Sequence, residues 1–405
     1  MTTQKHSISR RSVLAGGAAL AGSLAMPGLL RAAPESIKIG VLQPVTGNLA
    51  MDGAYGKLGA ELAIAAINES GGIKSLGGRP LEMVFGDARS NPEAGTQEVE
   101  RMQSDGVAAV VGGFASPICL AASQAAARYD LPYIVDVGVS DQIVQRGLAN
   151  TFRFSPGFGI CTKTAIDNLV RINKDAGTPA RTVVLVHEDG LFGSGLAKLM
   201  AAELPKYGFE ILDTIAHPTP ARDMSNVALR IRSLRPDLII PSSYYGETVL
   251  LMRTLQQQRV RPKGVYAVLN GAASNLRFVK EFPEAAENIM DCNHWYDPRK
   301  ETAQALVKKV ADAGQQWNYN IALNYTAMQF LADGIERAAS AEPVAINQAL
   351  AASTFASPVM PYGTTRMENG QNMGAAPVNT QVQKDTIRVI FPDEFADAKP
   401  VFPVQ

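Results

Sequence analysis

The sequence Ile37-Lys38-Ile39-Gly40-Val41-Leu42 is a short apolar run that is rich in β-branched residues. An Ala-rich segment at 55–70 follows it, and a second run of the same kind stands at 81–87. Short β-branched runs predict buried strands, and the Ala-rich segment between them predicts a helix. A strand, a helix and a second strand in this order form the βαβ unit of a parallel sheet. The opening of the chain therefore predicts an α/β fold.

The same alternation continues along most of the chain. Further strand candidates stand at 108–112, 133–137, 182–187, 210–216, 238–242 and 265–269, with Ala-rich helix candidates between them. Apolar strands that alternate with helices indicate parallel sheets covered by helices on both faces. The alternation breaks near 151–159 and again near 289–298, after which the pattern is mostly helical. Two α/β units followed by helices predict two lobes rather than one long sheet.

The first 33 residues have the composition of an export signal. Ser9-Arg10-Arg11 precede an apolar Ala/Gly/Leu stretch that ends at Leu30, and small residues follow. Paired arginines at this place are typical of a twin-arginine signal. A membrane anchor is the alternative, because the apolar stretch approaches spanning length, but its Ala and Gly content and Pro27 favour a signal. We predict a twin-arginine-type signal peptide at 1–33 and a periplasmic mature chain.

Charge and composition argue against several classes of partner. The 405 residues carry 38 basic and 38 acidic side chains, and four of the basic ones lie in residues 1–33. The mature chain then has 34 basic and 38 acidic side chains, with no basic run, which argues against a nucleic-acid partner. No later apolar run is long enough to span a bilayer.

The sequence gives no positive support for catalysis, a metal or a cofactor. Cys119, Cys161 and Cys292 lie far apart and form no CxxC, so structural zinc is not indicated. One disulfide and three buried free thiols both remain open. The histidines form no chelating pair, no GxSxG is present, and the glycines at 190–195 match neither nucleotide-binding motif.

Ligands of parallel sheets bind beyond the carboxyl ends of the strands. After the strand at 108–112 come Gly113-Phe114-Ala115-Ser116-Pro117, where we expect Ser116 to be a helix N-cap and Pro117 the first helical residue. That helix terminus suits a carboxylate, although the sequence alone favours the simpler interpretation that Ser116 only caps the helix. Loops that begin at 138, 188, 243 and 270 end at the same crevice, which predicts a small-molecule cleft.

Several motifs together resemble a known family. They are the opening strand, Val45-Thr46-Gly47, the stretch Ala65-Ala66-Ile67-Asn68-Glu69-Ser70-Gly71-Gly72-Ile73, Val84-Phe85-Gly86-Asp87 and Tyr325-Thr326-Ala327-Met328. The joined pattern is similar to the solute-binding proteins of ABC importers, of the branched-chain amino acid (Leu/Ile/Val-binding) type of the periplasmic binding protein family. The resemblance covers nearly all of the mature chain.

The resemblance implies a type I periplasmic binding protein fold, with two lobes joined by three crossings near 151–156, 289–298 and 358–364. Lobe 1 would comprise 34–153 and 293–361, and lobe 2 would comprise 154–292 and 362–405. The lobes would close on a ligand by a hinge motion and then dock on an ABC permease. The resemblance also implies a monomer that has no cofactor and no enzymatic activity.

The family pattern implies roles for individual residues. Ser116 matches the serine that hydrogen-bonds a ligand carboxylate, and Val137 and Val139 match the loop that completes the carboxylate site. Val139 stands where a threonine is usual, and Ser140 is the candidate to replace that hydroxyl. Phe192 matches an aromatic position of the second lobe.

The same pattern places Tyr244 in the pocket and Asn270 at the acidic residue that holds an α-ammonium group in amino-acid binders. Asn270 lacks that charge, and a buried ammonium without an anionic partner is costly. Asp52 and Asp136 stand in loops that would border the pocket, and either is a candidate to supply it.

The resulting hypothesis is an extracytoplasmic protein that delivers a small organic ligand, amino acid-like or an aromatic or other organic carboxylate, to an ABC permease. The alternatives are a receptor for a neutral amide or urea-like solute, a sensor subunit and a secreted α/β enzyme.

Overall fold

A computed structural model of the protein describes Met1 and residues 35–404. Residues Ser36–Gln405 form one compact unit. The predicted signal peptide lies outside the described residues, apart from Met1. Among the residues described, no helix combines the length and the apolar composition that a bilayer span requires.

The described chain contains fourteen strands and twelve α-helices. The strands are β1 Ile37–Gln43, β2 Leu81–Asp87, β3 Ala109–Gly112, β4 Tyr133–Val135, β5 Thr151–Arg153, β6 Thr182–Glu188, β7 Glu210–His217, β8 Leu238–Ser242, β9 Gly264–Val268, β10 Met290–Asn293, β11 Met367–Glu368, β12 Gln371–Asn372, β13 Val378–Gln383 and β14 Thr386–Phe391. The helices are α1 Ala50–Glu69, α2 Pro92–Ser104, α3 Ser116–Ala127, α4 Phe158–Asp175, α5 Leu191–Glu203, α6 Ser225–Leu234, α7 Tyr245–Gln257, α8 Leu276–Glu281, α9 Pro283–Ala286, α10 Glu301–Asp312, α11 Tyr319–Ala338 and α12 Pro343–Ala351.

The strands form two sheets of seven, which confirms the two-lobed α/β architecture. The first sheet has the order β11-β12-β5-β4-β3-β1-β2, and the second has the order β14-β13-β10-β9-β8-β6-β7. All residues of β3, β8, β9 and β10 are buried, as expected for strands that helices cover on both faces. In the first lobe α1 packs on α11 and α2 packs on α3.

The alternation of strands and helices predicted parallel sheets. The two sheets are mostly parallel, but each also contains antiparallel pairs. β13 runs antiparallel to both β10 and β14, and the two-residue strands β11 and β12 form an antiparallel pair at the edge of the first sheet. For the pairs β11–β12 and β13–β14 the short connections make this necessary, because a parallel return requires a crossover of a dozen or more residues.

Within residues 35–404 the chain passes between the two sheets three times, at 154–157, at 294–300 and at 373–377. The third follows β12, whereas the resemblance implied a third crossing near 358–364. The boundaries of the two lobes stay a prediction. Gln371 pairs with Arg153 of the first sheet, and Arg153 N donates to Gly370 O at 2.7 Å.

The three cysteines are free and buried. Of the two states left open by the sequence, the structure shows the free thiols.

Candidate functional site

A small cavity of about 30 Å³ lies where the carboxyl ends of the two sheets meet, so a ligand larger than a water molecule requires the two lobes to move apart. Loops after β3, β4, β6, β8, β9 and β10 and the start of α11 supply its wall. The lining residues are Phe114, Ala115, Ser116, Val137, Val139, Phe192, Ser243, Tyr244, Leu269, Gly271, Asn293, His294 and Tyr319.

The loop after β3 turns sharply toward the cavity. Gly112, Gly113 and Phe114 have φ values of +129°, +108° and +54°, in the region that favours glycine. A Cβ atom at Gly112 would lie 2.1 Å from the carbonyl oxygen of Leu42. Glycine is therefore required here, and the turn places the Phe114 ring in the cavity wall.

Asp136 holds this turn from inside the first lobe. Its Oδ1 accepts from Phe114 N at 2.9 Å, and its Oδ2 accepts from Gln43 Nε2 at 2.8 Å. Burial raises the pKa of the Asp136 carboxyl. Asp136 does not line the cavity, so its role here is to position Phe114.

Ser116 lines the cavity and does not cap helix α3. It is the first residue of α3 instead of the expected N-cap, and no side chain caps this helix by a hydrogen bond. Ser116 Oγ accepts from Ser140 N at 3.2 Å. Among the described residues no acceptor takes the Ser116 hydroxyl hydrogen, so the hydroxyl is available to donate into the cavity.

Ser140 acts through its backbone. Its N–H fixes Ser116, and its carbonyl oxygen accepts from a guanidinium nitrogen of Arg153 at 2.8 Å. The Ser140 side chain does not line the cavity. Val137 and Val139 do line it, and they make this part of the wall apolar.

The second lobe contributes an aromatic wall. The ring centroids of Phe192 and Tyr244 lie 5.2 Å apart, and Tyr244 lies 6.0 Å from Phe114 of the first lobe. Gly271 N donates to Ser243 O at 3.0 Å, which joins the loops after β8 and β9. A Cβ atom at Gly271 would lie 2.6 Å from Tyr245 N, so glycine permits this close approach.

Asn270, predicted as a ligand residue, does not line the cavity. Its Nδ2 donates to Thr248 Oγ1 at 2.9 Å, and its Oδ1 accepts from Ala272 N at 2.9 Å. The side chain is therefore occupied in holding its own loop, and a contact between Asn270 and the ligand stays a prediction.

Asp52 also lies outside the cavity lining. It is 2% exposed in the first turn of α1, and among the described residues its Oδ1 has no hydrogen-bond partner. Burial and the charge of Glu247, in the first turn of α7, raise the pKa of Asp52 to about 7. A direct contact between Asp52 and the ligand thus stays a prediction without support from the lining.

His294 is a cavity residue that the sequence did not indicate. It follows β10 at the second crossing, its N donates to Asn293 Oδ1 at 2.8 Å, and its Nδ1 lies 3.4 Å from Tyr362 Oη. Burial, followed by the charge of Arg153, lowers its pKa to about 3, so the imidazole is neutral at pH 7. Its Nε2 is buried and has no partner among the described residues.

The cavity residues offer polar groups without charge. None of the described lining residues carries a carboxylate, an ammonium or a guanidinium group. No group of three or more His, Cys, Asp or Glu side chains among the described residues is placed to hold a metal ion. The arrangement can bind an organic molecule by aromatic packing and by hydrogen bonds from neutral donors.

Sequence reasoning found the loops but missed Phe114, His294 and Tyr319. Phe114 stands in the expected loop, and the two glycines that precede it were the available signal in the sequence. His294 follows a strand directly, which the rule used for the other loops could have detected. Tyr319 begins a late helix, and no local signal indicates that this helix returns to the first lobe.

Comparison with known proteins agrees with this geometry. The family model described as periplasmic binding protein matches residues 36–385. The chain belongs to the periplasmic binding protein family. Within this family it is similar to Leu/Ile/Val-binding protein homolog 7 of Brucella abortus (strain 2308), with 26% identity over 379 residues, 90% of this chain and 94% of that protein.

Two solved structures show the same periplasmic binding protein fold. A leucine-binding protein of Thermotoga maritima has a TM-score of 0.76 at 23% identity and covers 88% of this chain and 99% of its own. An ABC transporter solute-binding protein of R. palustris in complex with benzoate has a TM-score of 0.75 at 21% identity, and covers 90% and 99%. At these identities the similarity establishes the fold.

Proposed function

We propose that this protein is the extracytoplasmic solute receptor of an ABC importer, and that its ligand is an aromatic carboxylate without an amine. The observation that carries the proposal is the cavity itself, which is lined by aromatic rings and neutral donors and by no carboxylate. Ser116 Oγ and the N-terminus of α3 are the groups that would hold the ligand carboxylate.

The absence of a lining carboxylate disfavours an α-ammonium group. An ammonium group buried in this cavity would lose its hydration and would gain no anionic partner, which costs several kcal/mol. Asp136 already accepts hydrogen bonds from Phe114 N and Gln43 Nε2. Asn270, at the place of the family's acidic residue, is neutral and turned away. An amino acid would therefore bind less well than its deaminated analogue.

The aromatic wall favours a flat ligand. The cavity wall contains three neighbouring aromatic rings. The ring centroid of Tyr244 lies 6.0 Å from that of Phe114 and 5.2 Å from that of Phe192. Offset or edge-on packing of a further ring contributes ~0.5–1.5 kcal/mol beyond its buried area. The Brucella relatives are named for Leu, Ile and Val, and one solved neighbour holds benzoate. The uncharged lining favours the second kind of ligand.

The proposed function requires a hinge between the two lobes. We assign lobe 1 to 36–153 with 301–372, lobe 2 to 158–293 with 378–404, and the hinge to the three crossings between them. Closure on the ligand would present both lobes to the permease. The twin-arginine-type signal at 1–33 would carry the chain to the periplasm, where we expect it to act as a monomer without catalytic turnover.

A thermal-shift screen tests the proposal. Ligands of the folded state raise the melting temperature by mass action, so amino acids, aromatic acids, dicarboxylates, amides and ureas are compared at equal concentration. We expect aromatic acids to give the largest shift and to be recovered unchanged after incubation. A screen in which only amino acids shift the melting temperature would refute the ligand class, and chemical conversion of the ligand would indicate an enzyme.

A neutral amide is the second candidate, because Ser243, Asn293 and His294 add uncharged polar groups to the wall. A larger shift from amides than from acids would favour it.

A further inference from the structure

The His294 imidazole belongs to the cavity lining and carries a buried nitrogen without a hydrogen-bond partner among the described residues. The residue is 1% exposed and belongs to the cavity lining. Its Nδ1 faces Tyr362 Oη at 3.4 Å, whereas Nε2 has no hydrogen-bond partner among the described residues. A buried polar atom without a partner is destabilising, and such atoms are rare in folded proteins. Because His294 lines the cavity, a bound ligand can supply the partner that Nε2 lacks.

His294 and Ser116 approach the cavity from different lobes. Ser116 begins α3 of the first lobe, and His294 follows β10 of the second. The Ser116 hydroxyl and the terminus of α3 already supply donors for one carboxylate. His294 is therefore available for a second polar group on the same ligand.

The chemistry of that second group follows from the neutral imidazole. The weak contact to Tyr362 Oη leaves the proton on either nitrogen, so Nε2 is a donor in one tautomer and an acceptor in the other. A hydroxyl group satisfies both, because it donates and accepts. A second carboxylate would satisfy only the donor form.

We propose that His294 is a specificity-determining residue whose Nε2 hydrogen-bonds a ring hydroxyl, so that the preferred ligand is a hydroxylated aromatic carboxylate. This inference rests on the proposed function, since it adds a second polar group to the ligand class named there. It also places a ligand contact at the second crossing, which is part of the hinge.

The test compares benzoate with 2-, 3- and 4-hydroxybenzoate by isothermal titration calorimetry. We expect the wild-type protein to bind at least one hydroxybenzoate about tenfold or more tightly than benzoate, because a site with a buried polar group rejects the analogue that leaves it unpaired. In His294→Phe this ratio should fall to about one, whatever the change in the Kd for benzoate itself. His294→Gln, which keeps a donor and an acceptor, should retain part of the preference.

Two results would overturn the inference. The first is a wild-type protein that prefers no hydroxybenzoate. The second is a preference that His294→Phe leaves intact, including the case in which benzoate and hydroxybenzoate lose affinity equally. Binding of amino acids in place of all four acids would instead refute the proposed function.

If the His294 variants do not fold, a measurement on the wild-type protein tests the same contact. The ¹⁵N chemical shift of His294 Nε2 should move when the preferred hydroxybenzoate binds and should move much less with saturating benzoate. Equal shifts with both ligands would contradict a hydroxyl contact.

Discussion

The ring of Phe114 in the first lobe lies 6.0 Å, centroid to centroid, from the ring of Tyr244 in the second. Both residues stand directly beyond the carboxyl end of a strand, Phe114 after β3 and Tyr244 after β8. The contact therefore joins the two lobes at the wall of the cavity that they share. A ligand held at this wall touches both lobes, so its binding energy would favour the arrangement in which the lobes meet.

Removing the Ser116 hydroxyl should weaken ligand binding without unfolding the protein. A hydrogen bond to a charged group contributes ~1.5–3 kcal/mol, so Ser116→Ala should raise the Kd for an aromatic acid roughly ten- to hundredfold. Ser104→Ala is the matched control, since Ser104 is exposed and bonds only to Glu100 O of its own helix. Calorimetry with an unchanged Kd for Ser116→Ala would remove Ser116 from the site.

A methyl group at Gly271 should disturb the aromatic wall. The Cβ atom would lie 2.6 Å from Tyr245 N and 2.9 Å from the carbonyl carbon of Tyr244, both backbone atoms that cannot turn aside. We expect Gly271→Ala to cost ~1–3 kcal/mol of stability and to weaken ligand binding by moving Tyr244.

Gly246→Ala is the control for Gly271→Ala, because no atom lies within 4 Å of the added Cβ and Gly246 lies in helix α7. It should leave the Kd unchanged and raise stability by up to ~1 kcal/mol. Equal melting temperatures and equal affinities for the two variants would show that the close approach at Gly271 is unimportant.

The buried carboxyl of Asp52 should make stability fall as the pH rises. Its pKa is raised from 3.8 to about 7 in the folded protein, so the folded state binds the proton more tightly than the unfolded state. Its contribution is fully present below about pH 4 and is lost as the pH rises through 7. Asp136 and Asp291, whose pKa values are also raised by burial, act in the same direction.

Asp52→Asn removes this titration. The variant and the wild type should have similar stability at pH 4, and the variant should be more stable at pH 8 by up to about 4 kcal/mol. Melting temperatures recorded from pH 4 to pH 8 measure the difference, and Glu69→Gln, an exposed acid of the same helix, should show no such trend. A constant difference across the range would mean that Asp52 titrates normally.

The strands were predictable because buried parallel strands are continuous apolar runs. β8 begins at Leu238 and ends at Ser242, the residues expected from sequence. α1 begins at Ala50, five residues before the expected start. The sequence pattern missed this first turn because Gly53 interrupts it. Gly53 is required by packing, since a Cβ there would lie 2.3 Å from Pro44 O. A local pattern does not contain such a contact.

The edge of the first sheet could not be predicted for a related reason. β11 and β12 have two residues each, too few to show alternation, and β12 is held in part by a bond from Arg153 Nε to Gln371 Oε1 at 2.7 Å. In the cavity, the strand-end rule located Ser116, Phe192 and Tyr244. Tyr319 depends on a contact between segments far apart in the chain, which the rule does not address.

The central claim is that the cavity accepts a carboxylate and rejects an α-ammonium group. 3-Phenylpropanoate and L-phenylalanine differ only in that group, so titration calorimetry with the two ligands at pH 7 tests the claim directly. We predict that 3-phenylpropanoate binds at least about a hundredfold more tightly, because the ammonium of phenylalanine would be buried without an anionic partner. Equal or tighter binding of L-phenylalanine would contradict the account.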